Sequence, residues 1–258
     1  MTLRYGCDEI FWGITLDNLQ TIENEAQAEI KSVSDTICAS KPVYDFFKRA
    51  FDIISTILAS ALLIIPFIVI SAVIVAKDGW SPFYVHKRIG KNFKSIGVYK
   101  FRSMKKNADD IEKMLTPDQL AEYKEEYKLK DDPRLIGYRT VGDGEKCFGA
   151  KLRRSSLDEL PQIMVNILIL GNMSVVGPRP ILESELKENY TSDEQKLLLS
   201  VKPGLTGYWQ AYARNNVGYS DGERQKMELY YVQNRSFLLD LKIIFKTIEA
   251  VLLREGSR

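Results

Sequence analysis

The chain has 258 residues, enough for one large or two small domains, with 36 Lys and Arg against 34 Asp and Glu. A formal net charge of +2 gives no global electrostatic pull toward nucleic acid, so no nucleic-acid partner is expected. A single histidine and three scattered cysteines exclude a multi-histidine metal site and a disulfide framework, and they point to a reducing compartment.

Any catalysis therefore rests on carboxylates, Lys, Arg or a carboxylate-held metal. His86 reads as an ordinary surface or packing residue. The charge is also unevenly spread. Residues 1–40 hold seven acids against two bases, Arg4 and Lys31, about −5, which leaves about +7 on the rest. This acidic arm shows no basic segment followed by an apolar one, so no signal peptide is visible, and it reads as a short amphipathic or poorly ordered stretch. A basic body suits an anionic membrane surface or phosphate substrates, and a solvated surface is the plainer alternative.

Next comes IISTILASALLIIPFIVISAVIVA, a 24-residue run without a charge from Ile53 to Ala76. As a helix it reaches about 36 Å, against about 30 Å for the hydrocarbon core of a bilayer. Membrane association follows. Pro66 near the middle removes a helical hydrogen bond and predicts a kink. Lys41, Lys48 and Arg49 precede the run, and Lys77, Lys87, Arg88, Lys91 and Lys94 follow it. Basic flanks on both sides favour a segment that enters and leaves on one face, because a crossing helix normally shows a one-sided bias. Proline kinks also occur in crossing helices, so on the residues alone both topologies stand.

Ser81 to Val85 and Ser95 to Phe101 read as strands with a turn near Ile89-Gly90. Asp109 to Leu129 reads as a charged surface helix, and Asp131 to Lys146 as a loop. A helix is predicted to start near Leu157–Pro161 and to carry its apolar run to about Leu170. Pro203-Gly204 and Gly207 mark another break. Phe237, Leu238, Leu241, Ile244, Phe245, Ile248, Val251 and Leu252 recur at helical spacing, a stripe suited to the core or to a membrane interface.

The stretch RRSSLDELPQIMVNILILGNMSVVGPRP, Arg153 to Pro180, carries the chemistry. Asp158 and Glu159 are adjacent acids among Arg153, Arg154 and Arg179. The plain explanation is a capping box in which Ser156 caps a helix and Glu159 bonds back, or in which Asp158 is itself the cap. The functional explanation is that a helix start keeps a carboxylate ionised as nucleophile or ligand and welcomes phosphate. Two adjacent carboxylates repel unless a cation lies between them, which makes Mg2+ a natural third component. Arginine forks match phosphate oxygens, and the prolines around Arg179 fix its backbone. Lys100 and Arg102, in YKFRSM, stand where they could face the same anion.

Eight motifs then occur in order: KRAFD, HKRIG, YKFRSM, DDPRL, LRRSSLDELPQ, GNMSVVGPRP, KPGLTGYWQ and YYVQNRSFLLDLKI. Over about residues 44–254 the chain resembles the bacterial sugar transferases, the monotopic polyprenyl-phosphate phosphoglycosyl transferases. The resemblance implies an α+β, mostly helical fold: a re-entrant membrane helix, a small β-hairpin, and interfacial amphipathic helices around a cytosolic active site. The implied organisation is an acidic arm of unknown role at 1–43, a membrane-associated re-entrant helix at 44–80 and a catalytic domain at 81–258.

The implied reaction moves a sugar 1-phosphate from a nucleotide sugar, usually a UDP-sugar, to undecaprenyl phosphate. UMP is released and a surface polysaccharide is begun. Asp158 matches the family's nucleophilic aspartate and Glu159 the glutamate that helps hold Mg2+; Arg179 matches the arginine of its Pro-Arg-Pro motif. Lys100 and Arg154 match basic positions near the site. Pro66 matches the membrane break, with Ile65 where the family has serine, and Asn172 stands where it usually has aspartate. The implied setting is the cytoplasmic face of the bacterial inner membrane, in contact with the lipid bilayer, with a homodimer left open. A non-catalytic membrane-anchored scaffold or sugar-nucleotide-binding protein is the rival class, and a lipid pyrophosphatase a further one.

Overall fold

The computed structural model describes residues 41–126, 129–213 and 222–252; the acidic arm, except Lys41 to Val43, lies outside the described residues. The first element, α1, is a 37-residue helix, Pro42–Asp78. Pro42 suits the first helical position, where its missing N–H is not needed. Asp45 in the first turn and Lys77 in the last complement the helix dipole. Gly79 ends the helix in a left-handed conformation, φ 71°, and its N–H bonds to Val75 O at 2.9 Å. The helix runs on through Pro66.

Both ends of α1 are fastened to one body. At the start, Tyr44 and Lys48 donate to Asp240 at 2.7 and 2.8 Å, and Arg49 donates to Ile167 O at 3.0 Å. Asp52 accepts the N–H of Val175 at 3.0 Å. Toward the end, Ile70 and Ile74 join a core cluster with Phe101, Ile136 and Leu152. Fully burying each of these side chains contributes about 1.5–3 kcal/mol. Between the two holds the helix stands bare: Leu58, Leu62 and Ile65 are 67, 79 and 70 % exposed.

Strands β1 (Phe83–Ile89) and β2 (Ser95–Phe101) form an antiparallel hairpin, with Tyr84 opposite Lys100 and His86 opposite Val98. The first strand runs four residues past the expected end. The turn is placed by Asn92 and Phe93, both left-handed, with the Asn92 N–H anchored on Leu199 O at 2.8 Å. The predicted surface helix splits into α2 (Ile111–Met114) and α3 (Pro117–Glu126), because Pro117 pushes the residue before it out of the helical region.

A loop leads to α4 (Phe148–Arg154), a 3-10 turn (Leu157–Glu159) and a π-helical segment (Gln162–Ile169). Ile167 of that segment and Met173 pack against Ile96 and Val98 of the hairpin. Strand β3 (Ser174–Val176) is followed by α5 (Glu183–Asn189) and α6 (Ser192–Leu198), and then pairs in parallel with β4 (Gly204–Thr206). This second sheet was not expected from the sequence. It depends on Gly177 and Gly204, because a Cβ on either would strike the backbone of the other segment.

Helices α7 (Tyr208–Tyr212), α8 (Glu223–Asn234) and α9 (Phe237–Leu252) complete the described chain. In α9 the buried side holds Asp240 and Ile243, with Thr247 hydrogen-bonded to Thr206. Phe237, Leu238, Phe245 and Ile248 point outward, Leu238 at 72 % exposure. These four residues of the stripe face away from the core, while Leu241 and Ile244 are half-buried. The protein is an α+β, mostly helical chain with a long apolar helix at the start of its described residues and a small antiparallel hairpin.

Candidate active site

Asp158 sits inside the 3-10 turn that joins α4 to the π-helical segment. Ser156 enters this turn in a left-handed conformation, φ 55°, and makes no side-chain cap. The capping box therefore does not form. The acids are free for other work, and the expectation that Asp158 opens a regular helix gives way to a tight turn that projects it.

Lys100, near the end of β2, reaches across to both acids: its Nζ lies 2.7 Å from Glu159 Oε1 and 3.6 Å from Asp158 Oδ2. A single ammonium thus occupies the place where a cation was required. Asp158 is buried, with 9 % exposure. Burial raises its carboxyl pKa to about 6, and the Glu159 charge adds to the rise; Lys100 and, less strongly, Arg153 oppose it. At pH 7 about nine in ten such groups are still ionised, and a carboxylate of higher basicity is the better nucleophile.

The expected arginines divide. Arg153 lies near Asp158 and donates from Nε to the Ser103 hydroxyl at 2.8 Å. Arg154 is exposed and donates to Glu145 O at 3.1 Å. Arg102, expected to face the anion, is turned the other way. It donates to Asp78 O and Gly79 O at 3.2 and 2.7 Å and pairs with the Asp78 carboxylate at 3.2 Å. Its job is to clamp the carbonyl end of α1, where the helix dipole favours a cation, so Arg102 is corrected from phosphate binder to anchor.

Arg179 belongs to the site through an intermediary the sequence did not reveal. His86 is half-buried, and its pKa is lowered by burial first, then by Arg88, Lys100 and Arg179. Its imidazole therefore stays neutral at pH 7 amid three cations that arrive from different segments. Arg88 Nη2 lies 3.3 Å from His86 Nδ1. A guanidinium only donates, so Nδ1 is the acceptor and Nε2 carries the proton. Glu185 holds the arginines in place: Arg224 at 2.9 Å, Arg179 at 3.4 Å and Arg88 at 3.9 Å. Buried Glu228 accepts the Arg179 backbone N–H at 3.1 Å, which fixes the Pro-Arg-Pro turn. His86, Arg88, Glu185, Arg224 and Glu228 were all missed, and HKRIG was the only local signal for any of them.

Asn172 is held by Asn166. Its Oδ1 accepts from Asn166 Nδ2 at 3.1 Å, and Asn166 is fully buried and tied to Gly97 O and Tyr99 N–H. An amide oxygen accepts there as a carboxylate oxygen would. Among the described residues, no group of three or more His, Cys, Asp and Glu could hold a metal.

A buried carboxylate beside a second acid, with basic groups converging from β1, β2 and the Pro-Arg-Pro turn, suits phosphoryl chemistry. Comparison with known proteins agrees. The family model described as bacterial sugar transferase matches residues 43–254. The chain belongs to the bacterial sugar transferase family. The sugar transferase is 44 % identical over 222 residues to the exopolysaccharide production protein ExoY of Rhizobium meliloti, covering 85 % of this chain and 91 % of that one. It is 40 % identical over 215 residues to the UDP-galactose-lipid carrier transferase of Erwinia amylovora, covering 82 % and 42 %. It is also 40 % identical over 217 residues to the undecaprenyl-phosphate galactose phosphotransferase of Salmonella typhimurium, again covering 82 % and 42 %. The match thus takes in less than half of these last two proteins. The sugar transferase is an enzyme of the transferase class.

Proposed function

We propose that the enzyme transfers a sugar 1-phosphate from a UDP-sugar to undecaprenyl phosphate, and so starts a surface polysaccharide. The observation that carries this reading is Asp158: buried, shifted to about 6, and facing the ammonium of Lys100 rather than capping a helix. In the first step an Asp158 carboxylate oxygen bonds to the β-phosphorus of the donor. The bond from that phosphorus to the bridging oxygen breaks, and UMP leaves with the electron pair. In the second step an oxygen of the lipid phosphate attacks the same phosphorus, the Asp158 carboxylate is released, and a lipid diphosphosugar forms.

Lys100, Arg179 and Arg153 neutralise the phosphoryl oxygens, and the Nε2–H of His86 gives them a neutral donor. The donor set also fits Mg2+, which needs only one or two protein carboxylates beside substrate phosphates. Glu159 would hold it, leaving Asp158 as the nucleophile, and it would supply charge neutralisation at the phosphoryl group. The names of the Erwinia and Salmonella relatives support a lipid-carrier acceptor.

For topology, one body holds both Asp52 and Asp78, at opposite ends of the bare segment. That favours α1 bending at Pro66 to enter and leave the bilayer on one face, and a nucleotide-sugar donor would make that face the cytoplasmic one. Release of UMP across a panel of UDP-sugars, with and without undecaprenyl phosphate and Mg2+, tests the reading. Release from at least one donor is expected. No release from any of them rejects it.

A further inference from the structure

At the turn end of the hairpin, the base of α1 walls a cavity of ≈ 180 Å3. Lys100 marks the reaction site at one end of β2, and Lys91 lines this cavity beyond the other. Five residue steps along β2 already span about 17 Å, so the two sites are separate. Basic residues outnumber acidic ones on the cavity walls, five to two. Lys48 is bound to Asp240, and Arg49 donates to Ile167 O. The side chains of Lys91 and Lys202 have no hydrogen-bonding or ion-pair partner among the described residues. Burial pushes the Lys202 ammonium pKa down, and Arg49 and Lys91 push it further against the pull of Asp52. Like charges are thus gathered in a partly dry space with too few anions to balance them.

Depth decides what the cavity meets. Its α1 wall spans Tyr44 to Asp52, and the uncharged run begins at the next residue, Ile53. On the same turns Phe46 and Phe47 stand 70 and 61 % exposed, and Phe51 packs edge-on against Phe237 at the start of the outward stripe of α9. Exposed apolar side chains at this level suit the membrane interface, which would set the cavity at the depth of lipid phosphates. We propose that it binds the phosphate group of an anionic phospholipid, as a resident lipid separate from the one that reacts. Lys202, Arg49 and Lys91 would balance the phosphate charge, and Asp52 would keep Arg49 and Lys202 oriented toward it.

The test is native mass spectrometry of the full chain, released from micelles of mixed phosphatidylglycerol and phosphatidylcholine, with and without added inorganic phosphate. The wild type should retain phosphatidylglycerol in preference. The double variant K91Q/K202Q should retain it about tenfold less. Its melting temperature in phosphatidylcholine alone should match the wild type, which keeps folding apart from binding. Preferential retention lost in the variant assigns the phosphate to a lipid. Phosphate binding without lipid preference, lost in the variant, assigns the site to a soluble anion. Equal retention of both lipids with no effect of phosphate, or a variant that retains phosphatidylglycerol like the wild type, overturns the proposal. UMP release by the variant is a separate readout, so failure here is distinct from failure of the transferase reading.

Discussion

The acid pair and the cavity at the base of α1 are both basic places near a membrane, yet they are balanced in opposite ways. At Asp158 and Glu159 one ammonium is shared by two carboxylates, and burial leaves Asp158 basic enough to attack while still ionised at neutral pH. In the cavity the cations exceed the acids, and Lys202 is held in a state it resists. The first arrangement tunes a reactive group; the second waits for a counter-charge. Counting cations does not separate the two, whereas asking what each cation already touches does.

Changes at the two places should separate. Asp158→Asn keeps the shape and removes the nucleophile, so UMP release should fall about 10³-fold or more while phosphatidylglycerol retention is unchanged. K91Q/K202Q should do the reverse. Equal damage to both readouts in both variants would merge the sites. Next in size is Lys100→Met, for which a loss of about 100-fold is expected.

The same variant should move the acid limb of the pH–rate profile upward. In the wild type, Asp158 is protonated as pH falls through about 6, so activity drops there. Lys100 holds that value down, so without it the drop begins at higher pH. An unmoved limb would remove Lys100 from the electrostatics of the pair. Glu185→Gln should loosen Arg88, Arg179 and Arg224 together and raise KM for the donor about tenfold with little change in kcat, as steady-state kinetics would show. Asn172→Asp is the smallest change, within about twofold by the same assay, because Asn172 acts through an oxygen either residue provides.

Local signals made much of this readable in the sequence. The uncharged run is long enough to name α1 by length alone. Alternation placed β2 at Ser95 to Phe101, as observed. The acid pair stood out because its neighbours were arginines. What stayed hidden is long-range. Lys100 lies near the end of β2 and Arg102 just past it, and only the fold shows that one serves Glu159 and the other Asp78. His86 looked incidental because, Arg88 apart, the cations around it come from β2 and the Pro-Arg-Pro turn. The parallel pairing of β3 with β4 joins segments 30 residues apart through two glycines, Gly177 and Gly204, that look locally like turn residues. Ser156 was misread because a capping box is a local pattern, whereas the left-handed turn that replaces it is set by how α4 meets the π-helical segment.

Intact-mass analysis of the chain mixed with its UDP-sugar alone, without lipid acceptor, tests the central claim most directly. A mass gain of one phosphosugar on the peptide holding Asp158, absent in Asp158→Asn, is the predicted result. UMP release that occurs only when donor and lipid are both present, with no adduct trapped on the protein, would contradict it.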